Sequence, residues 1–165
     1  MELYESLDGE PALSELCEDN IAACDPANFF FTDANDLTDE ITSGELEAAA
    51  MLLGRTSDDI SQYQVVYDPS YRPLFLVVEF KSGGFVLMMR TLRVPWEFSR
   101  TGGGSPYSGH HGEKLFYLGM LAYARGENGA IYMIRTGARV SDEQLESAIA
   151  GTRRAMDAAE RDLVR

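Results

Sequence analysis

The feature that most limits what this chain can fold into is a pair of apolar runs around a glycine turn. "LFLVVEF" (Leu74–Phe80) and "FVLMM" (Phe85–Met89) flank "KSGG". Aliphatic and aromatic residues suit a pleated, packed surface, and paired glycines accept the backbone of a tight hairpin turn. The runs are apolar at nearly every position rather than at alternate ones, so the two strands are central and covered on at least one face.

Other strand signals surround this hairpin. "YQVVY" (Tyr63–Tyr67) is short and β-branched, and the "DPSYRP" after it is turn material. "LRVPWEFS" (Leu92–Ser99) reads as a further strand in which Pro95 marks an edge or a bulge. "KLFYLGMLAYA" (Lys114–Ala124) fits a strand or a short helix, because Leu115, Leu118 and Ala122 have helical spacing while Phe116, Tyr117 and Tyr123 suit a sheet. "GENG" reads as a turn and "AIYMIR" as a strand.

Helices are expected on both sides of these strands. Leu13, Cys17, Ile21 and Cys24 share one helical face. Phe29–Phe31 follow as a short strand or an aromatic plug. Thr42 and Glu45 form a capping box, Ile41 can staple onto Leu46, and the helix they start stops at Gly54. Ser141 and Gln144 form a second capping box with a Val140–Leu145 staple. Beyond it, Leu145, Ile149, Thr152, Met156, Ala159 and Leu163 make a heptad seam that suits either docking on the sheet or a homodimer. The expected fold is α+β: an antiparallel sheet of four to six strands covered by N-terminal and C-terminal helices. It forms one domain over 1–165, with an acidic helical part (1–60), a sheet part (61–140) and a C-terminal helix (141–165).

Charge narrows the partners. Net charge is −13, and residues 1–60 hold sixteen of the 27 acidic residues against a single basic one, Arg55. Phosphate repels such a surface, so nucleic acid is an unfavourable partner and a basic protein surface a favourable one. No apolar run approaches the roughly 18 residues of a membrane span, and the acidic start is unlike a signal peptide. Cys17 and Cys24 on one helix lie about 10 Å apart along its axis, beyond disulfide reach, and read as small buried side chains.

Arg100–Lys114, "RTGGGSPYSGHHGEK", holds three consecutive glycines, a proline and the only two histidines. It lacks the Gly-Lys-Ser/Thr ending of a phosphate loop, and Pro106 removes a backbone donor. His110 and His111 are adjacent, whereas helical metal ligands stand four apart, so no metal and no cofactor is expected. A nucleophilic pairing of Cys17 with either histidine stays open, although a thiol on an apolar helical face is usually inert. No carboxylate is picked out by an apolar setting. Loops on rigid sheets carry recognition, so the expected protein-binding residues are Trp96, Gly102, Gly103, Gly104, Tyr107, His110 and His111.

The stretch Leu74–Tyr107 resembles the hairpin of the streptopain propeptide and the related streptopain inhibitors. The matching positions are Leu74–Phe80, Gly83-Gly84-Phe85, Val86–Met88, Phe98-Ser99 and Gly104-Ser105. The continuation through Ala124 is similar to secreted domains of Gram-positive bacteria that carry this hairpin. The resemblance covers about a quarter of the chain. It implies helices packed on an antiparallel sheet, an extracytoplasmic setting and occlusion of a papain-like cysteine-protease cleft, with no catalytic half in this chain. The expected function is therefore a non-enzymatic protein-binding module, a propeptide-like protease inhibitor, in which Tyr107 anchors the Arg100–Gly112 loop. The alternative is an acidic regulator or decoy that binds a basic protein surface through residues 1–60.

Overall fold

The structure, a computed structural model, describes residues 32–163. The expected helix with Cys17 and Cys24, and the Phe29–Phe31 segment, lie outside the described residues. Seven strands make one sheet: β1 (Ile60–Tyr67), β2 (Phe75–Phe80), β3 (Phe85–Met89), β4 (Val94–Ser99), β5 (Lys114–Tyr117), β6 (Tyr123–Glu127) and β7 (Ala130–Met133). Two α-helices are described, α1 (Ser43–Met51) and α2 (Asp142–Leu163).

The strand order is β4-β3-β2-β1-β5-β6-β7. It contains two antiparallel meanders, β1–β4 and β5–β7, joined where β1 runs parallel to β5. The expected all-antiparallel sheet of four to six strands is therefore corrected to a mixed sheet of seven. The parallel step arises because the chain leaves the edge strand β4, crosses the sheet through residues 100–113, and returns beside β1. Lys114–Ala124 is not a helix. It forms β5, a turn, and the start of β6, with Gly119 and Leu121 at positive φ in that turn.

Both strands of the β2–β3 hairpin are buried along their whole length. Its turn requires glycine, because a Cβ on Gly84 would lie 2.4 Å from the Ser99 carbonyl oxygen. Pro95 sits on the edge strand, beside a register shift at Leu87/Met88. Proline has no N–H to donate, which confines it to such positions.

The sheet curls strongly. The Tyr123 hydroxyl on β6 donates to Glu97 Oε1 on β4. These strands stand five places apart in the sheet, about 24 Å if it were flat at ~4.8 Å per strand. The concave side gathers Val66, Phe75, Val77, Phe85, Leu87 and Tyr117 into a core that α2 reaches with Met156. On the convex side Leu76, Val78, Phe80, Val86, Met88 and Phe98 pack beneath Ala49, Ala50 and Leu53 from α1 and its C-terminal turn. Each fully buried large side chain contributes roughly 1.5–3 kcal/mol.

α1 begins with the expected capping box: Thr42 Oγ1 accepts from the Glu45 N–H, and the Glu45 carboxylate accepts from the Thr42 N–H. It closes as expected at Gly54, where the Arg55 N–H donates to the Ala50 carbonyl. A buried ion pair ties the helix to the sheet. Arg90 binds both oxygens of Glu45 and donates to the carbonyls of Thr38, Glu40 and Pro73. Burial opposes the Glu45 carboxylate, but Arg90 holds its pKa below the usual range.

The second capping box is also present, with Ser141 and Gln144 exchanging bonds. Leu145 and Ala148 of α2 pack with Phe116, Ala124 and Ile131, while Met156 and Ala159 join the concave core. Thr152 and Met156 are buried, so this part of the heptad seam is occupied within the chain.

Candidate functional site

The crossover from Arg100 to Glu113 was the expected binding loop, and the structure gives much of it a different task. Tyr107 is fully buried, and its hydroxyl donates to the Phe116 carbonyl at 2.8 Å. Its ring meets Tyr123 edge-on at 5.5 Å. Tyr107 thus plugs the concave core and cannot serve, as placed, as an outward anchor. This corrects the expected role of that residue. A large aromatic after a glycine run fits a core plug as well as an anchor, and only the curl of the sheet decides between them.

The other loop residues divide. Gly102, Gly103 and Gly104 are exposed. A Cβ on Gly102 or Gly103 would meet nothing, whereas one on Gly104 would meet Ser108 and Glu79; the Gly102 carbonyl accepts from the Gly84 N–H. His110 pairs with Glu113. His111 Nε2 lies 3.4 Å from Glu79 Oε2. Trp96 is half-buried, 6.0 Å from the Phe75 ring, as a cover for the concave core. The structure therefore does not bring the seven expected residues to one surface.

Glu79 organises the loop. Its Oε2 accepts from Ser105 Oγ at 2.7 Å and from Ser108 Oγ at 3.3 Å, with His111 alongside. Here both hydroxyls donate to one carboxylate, an arrangement that pins the loop to β2. Among the described residues no group of three His, Cys, Asp or Glu side chains is placed to hold a metal ion. No helix in the described chain is long and apolar enough to cross a membrane.

A carboxyl group does sit in an apolar setting, contrary to the sequence reading. Glu97 is buried between Leu87 and a cluster of tyrosines. Its Oε2 lacks a full hydrogen bond, with the Tyr117 hydroxyl nearby. Burial pushes the Glu97 carboxyl above the usual carboxylate range, against the pull of the Tyr117 and Tyr123 hydroxyls. Burial likewise raises all three tyrosines, and the Glu97 charge adds to it. The available signal was local: a single charged residue set between Trp96 and Phe98.

The second group missed from sequence lies on the convex side. α1 covers β2 and β3, and the start of α2 packs with β5–β7. Over β1, between them, is a groove of about 450 Å³ lined by Tyr63, Val65 and Tyr67 on the strand, with Asp39, Ile41 and Lys114 at its sides. Tyr63 and Tyr71 are each about half exposed, at 49% and 48%. The Lys114 ammonium stands 4.5 Å from the Tyr67 ring centre and 5.5 Å from that of Tyr71. The Tyr67 hydroxyl donates to Asp39. Burial, together with that carboxylate, pushes the Tyr67 pKa up to about 12. Alternate residues of β1 thus present an aromatic strip, the period-two signature of "YQVVY". Compared with known proteins, the chain matches no family model, no curated protein and no solved structure.

Proposed function

We propose that this chain is a non-enzymatic protein-binding module whose main recognition surface is the groove over β1. The observation that carries this reading is the pair of half-exposed tyrosines at the groove, Tyr63 in its lining and Tyr71 beside the Lys114 ammonium. Tyrosine supplies a large apolar face and a polar tip at low entropic cost, which is why it is enriched at protein interfaces. The test is chemical cross-linking of the full chain in its native host extract, with a Tyr63→Ala/Tyr71→Ala variant run beside it. A partner captured by the wild type and lost by the folded variant supports the reading. Capture of nothing, or of the same proteins by both chains, sinks it.

A second reading keeps the resemblance to the streptopain propeptide. It is favoured by Gly102 and Gly103, which are exposed and have no atom near a Cβ position. So thin a tip suits the narrow cleft of a papain-like protease. With Tyr107 committed to the core, the cleft-occluding element is this tip alone. Inhibition of a papain-like enzyme that is lost on replacing Gly102 and Gly103 by valine would support it. An unchanged inhibition constant, or no inhibition, removes it.

A further inference from the structure

Each exposed strand edge in this sheet has a different fate. An unpaired edge offers free N–H and C=O groups to any extended chain, and proteins commonly blunt it with proline, charge or a covering segment. β4 carries Pro95. β7 is covered by residues 138–140: the Met133 N–H donates to the Ala138 carbonyl, and the Val140 N–H to the Ile131 carbonyl. A third edge lies inside the sheet. β1 pairs with β2 along most of its length, but its ladder to β5 consists only of Val66–Leu115 and Tyr67–Phe116. The Gln64 side chain ends the open part, donating to the Glu113 carbonyl and accepting from the Gly112 N–H. Ile60, Ser61, Gln62 and Tyr63 keep an edge with no ladder partner among the described residues, and this stretch carries neither proline nor charge.

The side chains around that edge define what it suits. Tyr63, Val65 and Tyr67 recur every second residue on the groove side, the spacing at which an added strand presents its own side chains. Acidic groups stand at both ends. Asp58 is exposed just before the strand, and Asp39 lines the groove at the Tyr67 end with Glu40 exposed next to it. The one cation in the groove, Lys114, is turned onto the tyrosine rings.

We propose that the open edge of β1, Ile60–Tyr63, takes an extended, basic segment of a partner protein by strand addition. Beyond Gln64, where β5 occupies the edge, the segment rises into the groove over Tyr67, with apolar side chains over Tyr63 and Tyr67 and Lys or Arg at its ends facing Asp58 and Asp39. This rests on the protein-binding reading and names the partner's chemistry.

The experiment is an amide-shift NMR titration of the full chain. The probe is an acetylated, amidated octapeptide of alternating valine and threonine with a lysine near each end. Two controls replace the lysines by glutamate or N-methylate alternate backbone nitrogens. The expected result is shifts confined to Asp58–Tyr67, Asp39–Ile41 and Gly112–Lys114. Affinity should fall at least tenfold for the glutamate peptide and be lost for the N-methylated one. Asp39→Asn and Asp58→Asn, which leave the strand intact, should each weaken binding about threefold. No shifts at millimolar peptide, shifts centred elsewhere, or equal binding of either control would overturn the inference. So would self-association of the peptide-free chain through the same edge. If the cross-linked partner depends on Tyr63 and Tyr71 but the peptide fails, strand addition falls and the binding module stands. If no partner is captured, the module reading itself falls.

Discussion

Under α1, the convex side of β2 and β3 is closed by apolar side chains, with its one buried ion pair at the margin; the concave side instead holds Glu97, Glu79 and three tyrosines within its core. The two sides also differ in what covers them. A capped helix lies on the first, while a loop pinned by hydrogen bonds to Glu79 and by the Tyr107 plug crosses the second. Apolar closure is tolerant of shape, whereas polar closure in a dry interior requires each partner to be present. The concave side is therefore specified by a few residues, and the convex side by many.

The largest effect should come from the ion pair that fixes α1. Arg90→Met leaves the Glu45 carboxylate buried without its partner, at a cost of about 3–5 kcal/mol, read as a lower urea midpoint. Adding Glu45→Leu should recover much of that loss. Glu45 has a folded pKa below its unfolded value of 4.5, so its stabilisation is present above that value and is lost as pH falls through the folded one. A tolerated Arg90→Met would mean that the apolar contacts alone hold the helix.

Next in size is the plug. Tyr107→Phe keeps the ring and removes one buried hydrogen bond, which should cost about 1–2 kcal/mol in chemical denaturation. Unchanged stability would make the hydroxyl incidental and the two sides alike.

The smallest effect is the most diagnostic. Glu97 has a raised folded pKa, so its contribution is fully present below 4.5 and is lost as pH rises through the folded value. Glu97→Gln should be at least as stable as the wild type at neutral pH. Its advantage should grow with pH by about 1.4 kcal/mol for each pH unit between the two values. Parallel stability curves for the two chains would show that the carboxyl titrates as if in water.

The sequence is legible where one physical signal acts alone. Leu74–Met89 reads as a hairpin because no other structure suits two apolar runs and a glycine pair. Thr42–Glu45 and Ser141–Gln144 read as helix starts because their bonds are local. Lys114–Ala124 is ambiguous because Leu115, Leu118 and Ala122 keep helical spacing while Phe116, Tyr117 and Tyr123 suit a sheet, and the turn between the strands uses Leu121 at positive φ, which no composition rule marks. Tyr107 and Glu97 were misjudged for one reason. Both are polar-tipped residues with tertiary partners: the curl brings Tyr123 to Glu97, and the crossover folds Tyr107 back onto the Phe116 carbonyl. The groove over β1 depends on where two helices stop, a tertiary fact that Tyr63 does not carry by itself.

The short β1–β5 ladder also bears on how the chain assembles. Among the described strands every other pairing joins neighbours in sequence, whereas Val66–Leu115 joins residues separated by the three strands β2–β4. Closing so long a segment carries the largest loop entropy of any pairing here, although that cost grows only with the logarithm of length. The β1–β4 meander can form without waiting for it. The chain's topological complexity is concentrated in a two-residue splice, and the rest of the joining falls to side chains: the concave core draws Leu115 and Tyr117 of the second meander in with Phe75, Val77 and Phe85 of the first.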